Sequence, residues 1–299
     1  MIERRAISGI AIDCGGTKTA VAKIENGEVV RRLQQFTKGD ATPVHMVDSF
    51  FELVNQLDPH PEDRICAALS GRIDVEGTWY SVNHATLAGI GKVPIADMLK
   101  SRFKRTVPVL NDAVAGAVAE QKFGSGAGCA RLAYITISTG VGAGIVIDGK
   151  PLLSSGGLAG HVGFTSSPQS NRTCGSGRYG TVESVASGKA IADISAESGH
   201  TDDPVKVFSA FRNGEPWAVK IVSQSATAIA ELTADLAAIL DIERFVIGGS
   251  VGLAAGYIEQ ITHAQLGIPE LFRVPVVKAT LDDAVLLGAL AQSIESGGD

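Results

Sequence analysis

The chain has 299 residues, 45% of them apolar and 19% charged, with a net charge of −6. No apolar run reaches the roughly 18 residues needed to cross a bilayer, and no dense Lys/Arg tract offers a footprint for a polyanion. Membrane and nucleic-acid partners are therefore not expected. The length allows two lobes with separate cores, since domains of about 100–150 residues are commonest. Met1-Ile2-Glu3-Arg4-Arg5 leads straight into an apolar strand pattern with no small-residue cleavage signature. The four cysteines, Cys14, Cys66, Cys129 and Cys174, show no paired spacing, which suits a reducing cytoplasm without disulfides.

In chain order, Ile7 to Ile12 reads as a strand, Asp13-Cys14-Gly15-Gly16-Thr17-Lys18 as a polar glycine turn, and Thr19 to Ile24 as a second strand that Asn26-Gly27 closes into a hairpin. Val44 to Leu57 and Ile95 to Arg105 carry helical spacing, while Ile65 to Leu69 and Val107 to Leu110 are short apolar runs suited to buried strands. The first grammar then returns. Leu132 to Ser138 is a strand, Thr139 to Gly144 a glycine turn and Ile145 to Ile147 a strand closed by Asp148-Gly149, which reads as an internal duplication. After a Gly/Ser/Asn-rich stretch from Ser154 to Gly180, Ala218 to Leu240 reads as a long Ala-rich helix. Phe245 to Ile247 forms a strand ending in Gly248-Gly249-Ser250, and Asp283 to Ile294 a closing helix.

Three glycine turns at strand ends can present backbone N–H groups to phosphate oxygens. Each alone also reads as an ordinary turn. None is a Walker loop or a dinucleotide fingerprint, because the Gly-Lys-Ser/Thr ending and the three-glycine helix opening are both missing. In the first turn Gly15, Gly16, Thr17 and Lys18 can meet phosphate, and the Asp13 carboxylate can hold hydrated Mg²⁺. Thr139, Gly140 and Gly142 belong to the second turn, Gly248 and Gly249 to the third. Asn111-Asp112 sits between an apolar strand and a small-residue helix. A carboxylate there can cap the helix or act as a general base at a strand's carboxyl end, where α/β folds place ligand chemistry. In phosphoryl transfer from ATP, one carboxylate accepts the attacking hydroxyl's proton, and Asp112 fits that role.

In sequence order, Ile-Asp-Cys-Gly-Gly-Thr-Lys, Leu-Asn-Asp-Ala, Ser-Thr-Gly-Val-Gly-Ala-Gly, Gly-Leu-Ala-Gly-His-Val-Gly, Val-Glu-Ser-Val-Ala-Ser-Gly and Gly-Gly-Ser-Val-Gly-Leu-Ala resemble the motifs of ROK sugar kinases from about residue 10 to 290. The resemblance implies a two-lobed actin-like ATPase (ribonuclease H-like) α/β fold as in hexokinase, with a smaller lobe of residues 1–110 plus 283–299 and a larger one of 111–282. It also implies a homodimer and a cleft that binds Mg-ATP, with Asp112 deprotonating the C6 hydroxyl of a sugar held by Asn111. By the same resemblance Gly71, Asn83, His161 and Glu183 contact the sugar. His84 and Thr86 replace the Pro and second Asn of the family's Asn83 loop. His161 stands where most ROK glucokinases carry Glu and where bacterial N-acetylmannosamine kinases similarly carry His, which implies conversion of N-acetylmannosamine to its 6-phosphate. Glucokinase, another amino-sugar kinase and a non-catalytic sugar sensor are the alternatives.

Most members of the family hold a structural Zn²⁺ with one His and three Cys. The matching positions here are Phe164, Cys174, Ser176 and Thr181. One thiolate cannot build a tetrahedral site, so no zinc is expected, and packing and hydrogen bonds should hold residues 166–180 instead.

Overall fold

A computed structural model of the chain describes residues 2–38, 40–82, 87 and 90–296. Its internal contacts divide it into two α/β units: residues 1–124, 150–159 and 281–299 form the first, and residues 125–149 and 160–280 the second.

In the first unit, β1 (Gly9–Cys14), β2 (Lys18–Glu25), β3 (Glu28–Phe36), β4 (Ile65–Leu69) and β8 (Val109–Asn111) form a sheet in the order β3-β2-β1-β4-β8. β1 and β4 are buried on both faces apart from the half-buried Asp13, as befits strands sandwiched between helical layers. On one face α1 (Pro43–Asn55) and α2 (Ile95–Phe103) cover a core around Ile12, Phe50, Leu69 and Leu99. On the other, α3 (Asp112–Phe123) and α9 (Ala284–Ser296) cover Ala11, Cys66 and Ala68. A small sheet of β5 (Arg72–Ile73), β6 (Trp79–Tyr80) and β7 (Lys92–Val93) follows β4 in the chain, and β11 (Lys150–Pro151) also belongs to this unit.

The sequence boundary at residue 110 would assign α3 to the other lobe, whereas its contacts place it here. The reason is its small-residue composition. Ala113 to Gln121 are all buried, and Ala115 and Ala119 let the Gly288 turn of α9 approach the α3 backbone.

The second unit repeats the plan. β9 (Arg131–Ile137) pairs antiparallel with β10 (Val141–Ile147) and parallel with β12 (Arg244–Gly248), which pairs parallel with β13 (Val276–Lys278). In the first unit β1 pairs antiparallel with β2 and parallel with β4, and β4 pairs parallel with β8. The duplication read from the glycine turns thus extends to strand pairing. The remaining helices are α4 (Glu183–Ala186), α5 (Gly188–Glu197), α6 (Pro204–Arg212), α7 (Pro216–Leu240) and α8 (Tyr257–Gln265). The core of this unit joins Ile135, Ile145, Val222, Ile229, Phe245 and Tyr257. No described helix is long and apolar enough to cross a membrane, and the four cysteines are buried and form no disulfide.

Candidate active site

In the first unit the last residues of three neighbouring strands lie level, with Cys14 opposite Leu69 and Leu69 opposite Asn111. Carboxyl ends of parallel strands are where α/β sheets collect ligand chemistry. Asn111 ends β8 and caps α3: its Oδ1 accepts the N–H groups of Ala113 and Val114 at 3.0 and 3.2 Å, and its Nδ2 donates to the Gly71 carbonyl at 2.9 Å. The cap and the sugar contact expected of Asn111 therefore compete for one side chain, and in this structure both its ends serve the backbone.

Asp112 opens α3, and its Oδ1 accepts the Ala113 N–H at 2.8 Å. Burial holds its carboxyl above the usual carboxylate range, against the lowering effect of that N–H and of the Ser70 and Asn111 side chains. Asp13 stands near the end of β1 rather than in the turn proper. Burial and the Asp112 charge push it up to about 7, with Asp283 adding to the rise and the Arg32 guanidinium opposing it. Arg32 in turn pairs with Asp283 at 2.9 Å. The Asp13 carboxyl, near the end of β1 and beside the first glycine turn, fits a hydrated Mg²⁺, which takes one or two carboxylates alongside water and phosphate. Among the described residues no cluster of three or more His, Cys, Asp and Glu forms a dedicated metal cage.

The first glycine turn is Gly15 to Thr17, with Lys18 already in β2. The Gly15 N–H donates to the Lys18 carbonyl, and Thr37 braces the loop by donating its N–H to the Thr17 carbonyl and its hydroxyl to the Gly15 carbonyl, all at 2.9 Å. Gly71 has φ +109, and a Cβ there would sit 2.7 Å from the Tyr80 carbonyl, so only glycine fits. The neighbouring Ser70 donates its N–H to the Cys14 carbonyl and accepts the Trp79 indole N–H. Sequence reasoning missed Thr37, Ser70 and Arg32, because nothing in their local pattern marks them and only the register of distant strands brings them in. Asn83, with His84 and Thr86, lies outside the described residues.

In the second unit the glycine turn is shorter than expected. β10 starts at Val141, so Gly142 is a strand residue paired with Thr136, and the turn is Ser138 to Gly140. The repeated glycines disguise the strand because their lack of side chains removes the alternation that would reveal it. Gly248 closes β12 and Gly249 takes φ +82, where a Cβ would run into the Ile137 carbonyl. The Ile137 carbonyl also accepts the N–H groups of Val251 and Gly252 at 2.9 and 3.0 Å, which locks the corner onto β9. Beside these turns lies a pocket of about 510 Å³, lined among others by Thr139, Lys189, Phe208, Arg212 and Val251. Its volume is in the range of small-molecule sites. The part played by α6 has no local signal, since Phe208 and Arg212 look like ordinary helix residues.

His161 precedes a short turn over Val162–Phe164, and its ring stacks on Phe164 with 6.0 Å between centroids. The turn is tied to β10, because the Ala143 N–H donates to the Gly160 carbonyl at 2.8 Å. Glu183 is 6% exposed. Its Oε2 accepts the Val141 N–H at 3.1 Å, its Oε1 is buried without a hydrogen-bond partner, and burial raises its pKa. The four zinc positions do not fit the metal. Phe164 presents a ring, Cys174 Sγ lies 3.0 Å from Ser176 Oγ, and the Thr181 hydroxyl bonds to Ser184 Oγ at 3.1 Å. Bridges between Ser166 and Thr181 and between Thr173 and Tyr179 close the loop.

The ROK family signature matches residues 9–295. The chain belongs to the ROK family. Over 287 residues it is 40% identical to an N-acetylmannosamine kinase of Yersinia pestis (strain Pestoides F), covering 94% of this chain and 96% of that protein. The ROK hexokinase from Thermus thermophilus superposes with a TM-score of 0.82 at 27% identity, covering 97% of this chain and 100% of that one. A ROK family glucokinase from Streptomyces griseus, solved with glucose and AMPPNP, gives 0.82 at 26% identity, covering 95% and 98%. The fold is thus the α/β actin-like ATPase fold, ribonuclease H-like, of the ROK hexokinases and glucokinases.

Proposed function

We propose that this ROK protein is an ATP-dependent sugar kinase that transfers the γ-phosphoryl group to the C6 hydroxyl of N-acetylmannosamine. The observation that carries the reading is Asp112, a half-buried carboxylate that opens α3 directly after the end of β8 and whose proton affinity desolvation raises. A general base works best with its pKa moved toward the operating pH, within hydrogen-bond reach of the proton it takes. Asp112 accepts the proton of the sugar hydroxyl as that oxygen attacks, Asn111 and Gly71 fix the loop around it, and no covalent intermediate with the protein is needed. In the second unit the 510 Å³ pocket takes the nucleoside, and the amides of the Ser138–Gly140 turn and the Gly248–Gly249 corner meet phosphate oxygens. Mg²⁺ bound with ATP neutralises phosphate charge, and Asp13 is the residue to hold its water shell. His161 and Glu183 bind the sugar, and His161 together with the 40% identity to the Y. pestis N-acetylmannosamine kinase supports that sugar as substrate. Residues 164–181 work without zinc, and the enzyme acts in the cytoplasm as a homodimer.

The test is ADP release with Mg-ATP across N-acetylmannosamine, N-acetylglucosamine, glucose and mannose. N-acetylmannosamine should give the highest kcat/KM. A preference for glucose would correct the substrate, and turnover of none of the four would remove the kinase reading.

A further inference from the structure

We infer that Glu183 is a positioning residue for the nucleotide as well as a sugar ligand, linking the affinities of the two substrates through one carboxylate. The inference rests on the sugar-kinase reading for what the substrates are, but its geometry lies wholly within the second unit.

The two carboxylate oxygens are in different situations. Oε2 accepts the N–H of Val141, the residue that follows the Ser138–Gly140 turn and begins β10. It also lies against the turn itself, since a Cβ on Gly140 would come within 2.7 Å of it. The other end of the turn is fixed by backbone alone, through the Gly188 N–H donating to the Ser138 carbonyl at 2.7 Å. Glu183 therefore supplies the side-chain half of a clamp on a loop whose own amides face phosphate. Oε1 is buried with no donor in reach. A buried carboxylate oxygen without a donor is a costly arrangement, and a sugar hydroxyl is a donor of the right kind. The residue before it donates its N–H to the Thr165 carbonyl at 3.0 Å, which joins α4 to the turn that carries His161. A sugar hydroxyl that captures Oε1 fixes the carboxylate, and a fixed carboxylate holds Val141 and the turn in the phosphate-binding shape.

Calorimetric titration of AMPPNP with Mg²⁺, with and without N-acetylmannosamine, tests this on the full chain carrying Glu183→Ala, Glu183→Gln or Gly140→Ala. Glu183→Gln keeps an oxygen for the Val141 N–H, so sugar-free nucleotide affinity should stay within about twofold of wild type while the sugar KM rises about tenfold or more. Glu183→Ala should weaken nucleotide binding about tenfold without any sugar present, and abolish the gain in nucleotide affinity that sugar brings. Gly140→Ala, which displaces the carboxylate from the turn, should weaken sugar-free nucleotide binding in the same way, and it keeps the test open if the Ala variant at 183 does not fold. Unchanged nucleotide affinity in Glu183→Ala with a raised sugar KM would overturn the inference and leave Glu183 a sugar ligand only. Equal nucleotide losses in the Gln and Ala variants would also overturn it, since charge rather than the amide contact would then matter. Because the nucleotide arm needs no sugar, failure of the kinase reading would appear separately, as absence of sugar phosphorylation by wild type.

Discussion

Asp112→Asn changes one charge and one proton acceptor while leaving the surrounding geometry available. The Ala113 N–H that Oδ1 accepts at 2.8 Å finds the same acceptor in Asn, and the α3 cap comes from Asn111 rather than from residue 112. The fold should therefore survive. Burial is the largest cause of the raised Asp112 pKa, so the ionised side chain costs stability as pH rises, and the neutral amide should melt at the same temperature or higher at pH 8. Loss of a general base lowers rates by about 10²–10⁴, equivalent to roughly 2.7–5.4 kcal/mol of barrier. The assay is steady-state ADP release with saturating Mg-ATP and varied N-acetylmannosamine, beside thermal melts. The expected result is a kcat fall of that size with a sugar KM within a few-fold of wild type. A kcat within about threefold of wild type would refute the assignment of the base, and a comparable fall with a melting temperature many degrees lower would attribute the loss to misfolding.

Asp13 gives a pH-dependent prediction. Its folded pKa of about 7 lies above the value of 3.8 for a free side chain, so the folded state binds the proton more tightly than the unfolded one. Its contribution to stability is complete below about pH 4, declines as pH rises toward 7 and is gone above that. Mg²⁺ with ADP should then raise the melting temperature more at pH 8 than at pH 5, and Asp13→Asn should remove the difference. Equal shifts at both pH values in wild type would contradict the role given to this carboxylate. Gly288→Ala would drive a Cβ into the Ala115 carbonyl where α9 crosses α3. Overpacking of this kind costs about 1–3 kcal/mol, visible as a lower urea midpoint, and an unchanged midpoint would show that α9 can shift freely. Metal analysis of purified protein should find far less than one zinc per chain, with no effect of chelator on the melt, and an equimolar zinc signal would refute the zinc-free loop.

The strands that carry the site were legible because each is a short apolar run stopped by glycine or polar residues. That pattern located β1, β4, β8, β9 and β12 and, with them, Asp13, Asp112, the first glycine turn and the Gly248–Gly249 corner. The second turn was misjudged in length, since Val141 to Gly144 alternates with glycine and hides a buried strand. The boundary at residue 110 differs from the contact division after Gly124 for another reason. It followed the motif order, while α3 takes its side from the close fit of its alanines against Gly288 of α9. Thr37, Ser70 and Arg32 lie far in sequence from the groups they brace, and no local periodicity encodes a contact set by sheet register. The dual use of Glu183 was likewise out of reach, because one oxygen at Val141 and another left buried is a property of packing.

The most direct test of the account is to identify the product formed from Mg-ATP and N-acetylmannosamine by NMR. We expect N-acetylmannosamine 6-phosphate in a one-to-one ratio with ADP. ADP accompanied by inorganic phosphate and unmodified sugar, or no ADP at all, would contradict it.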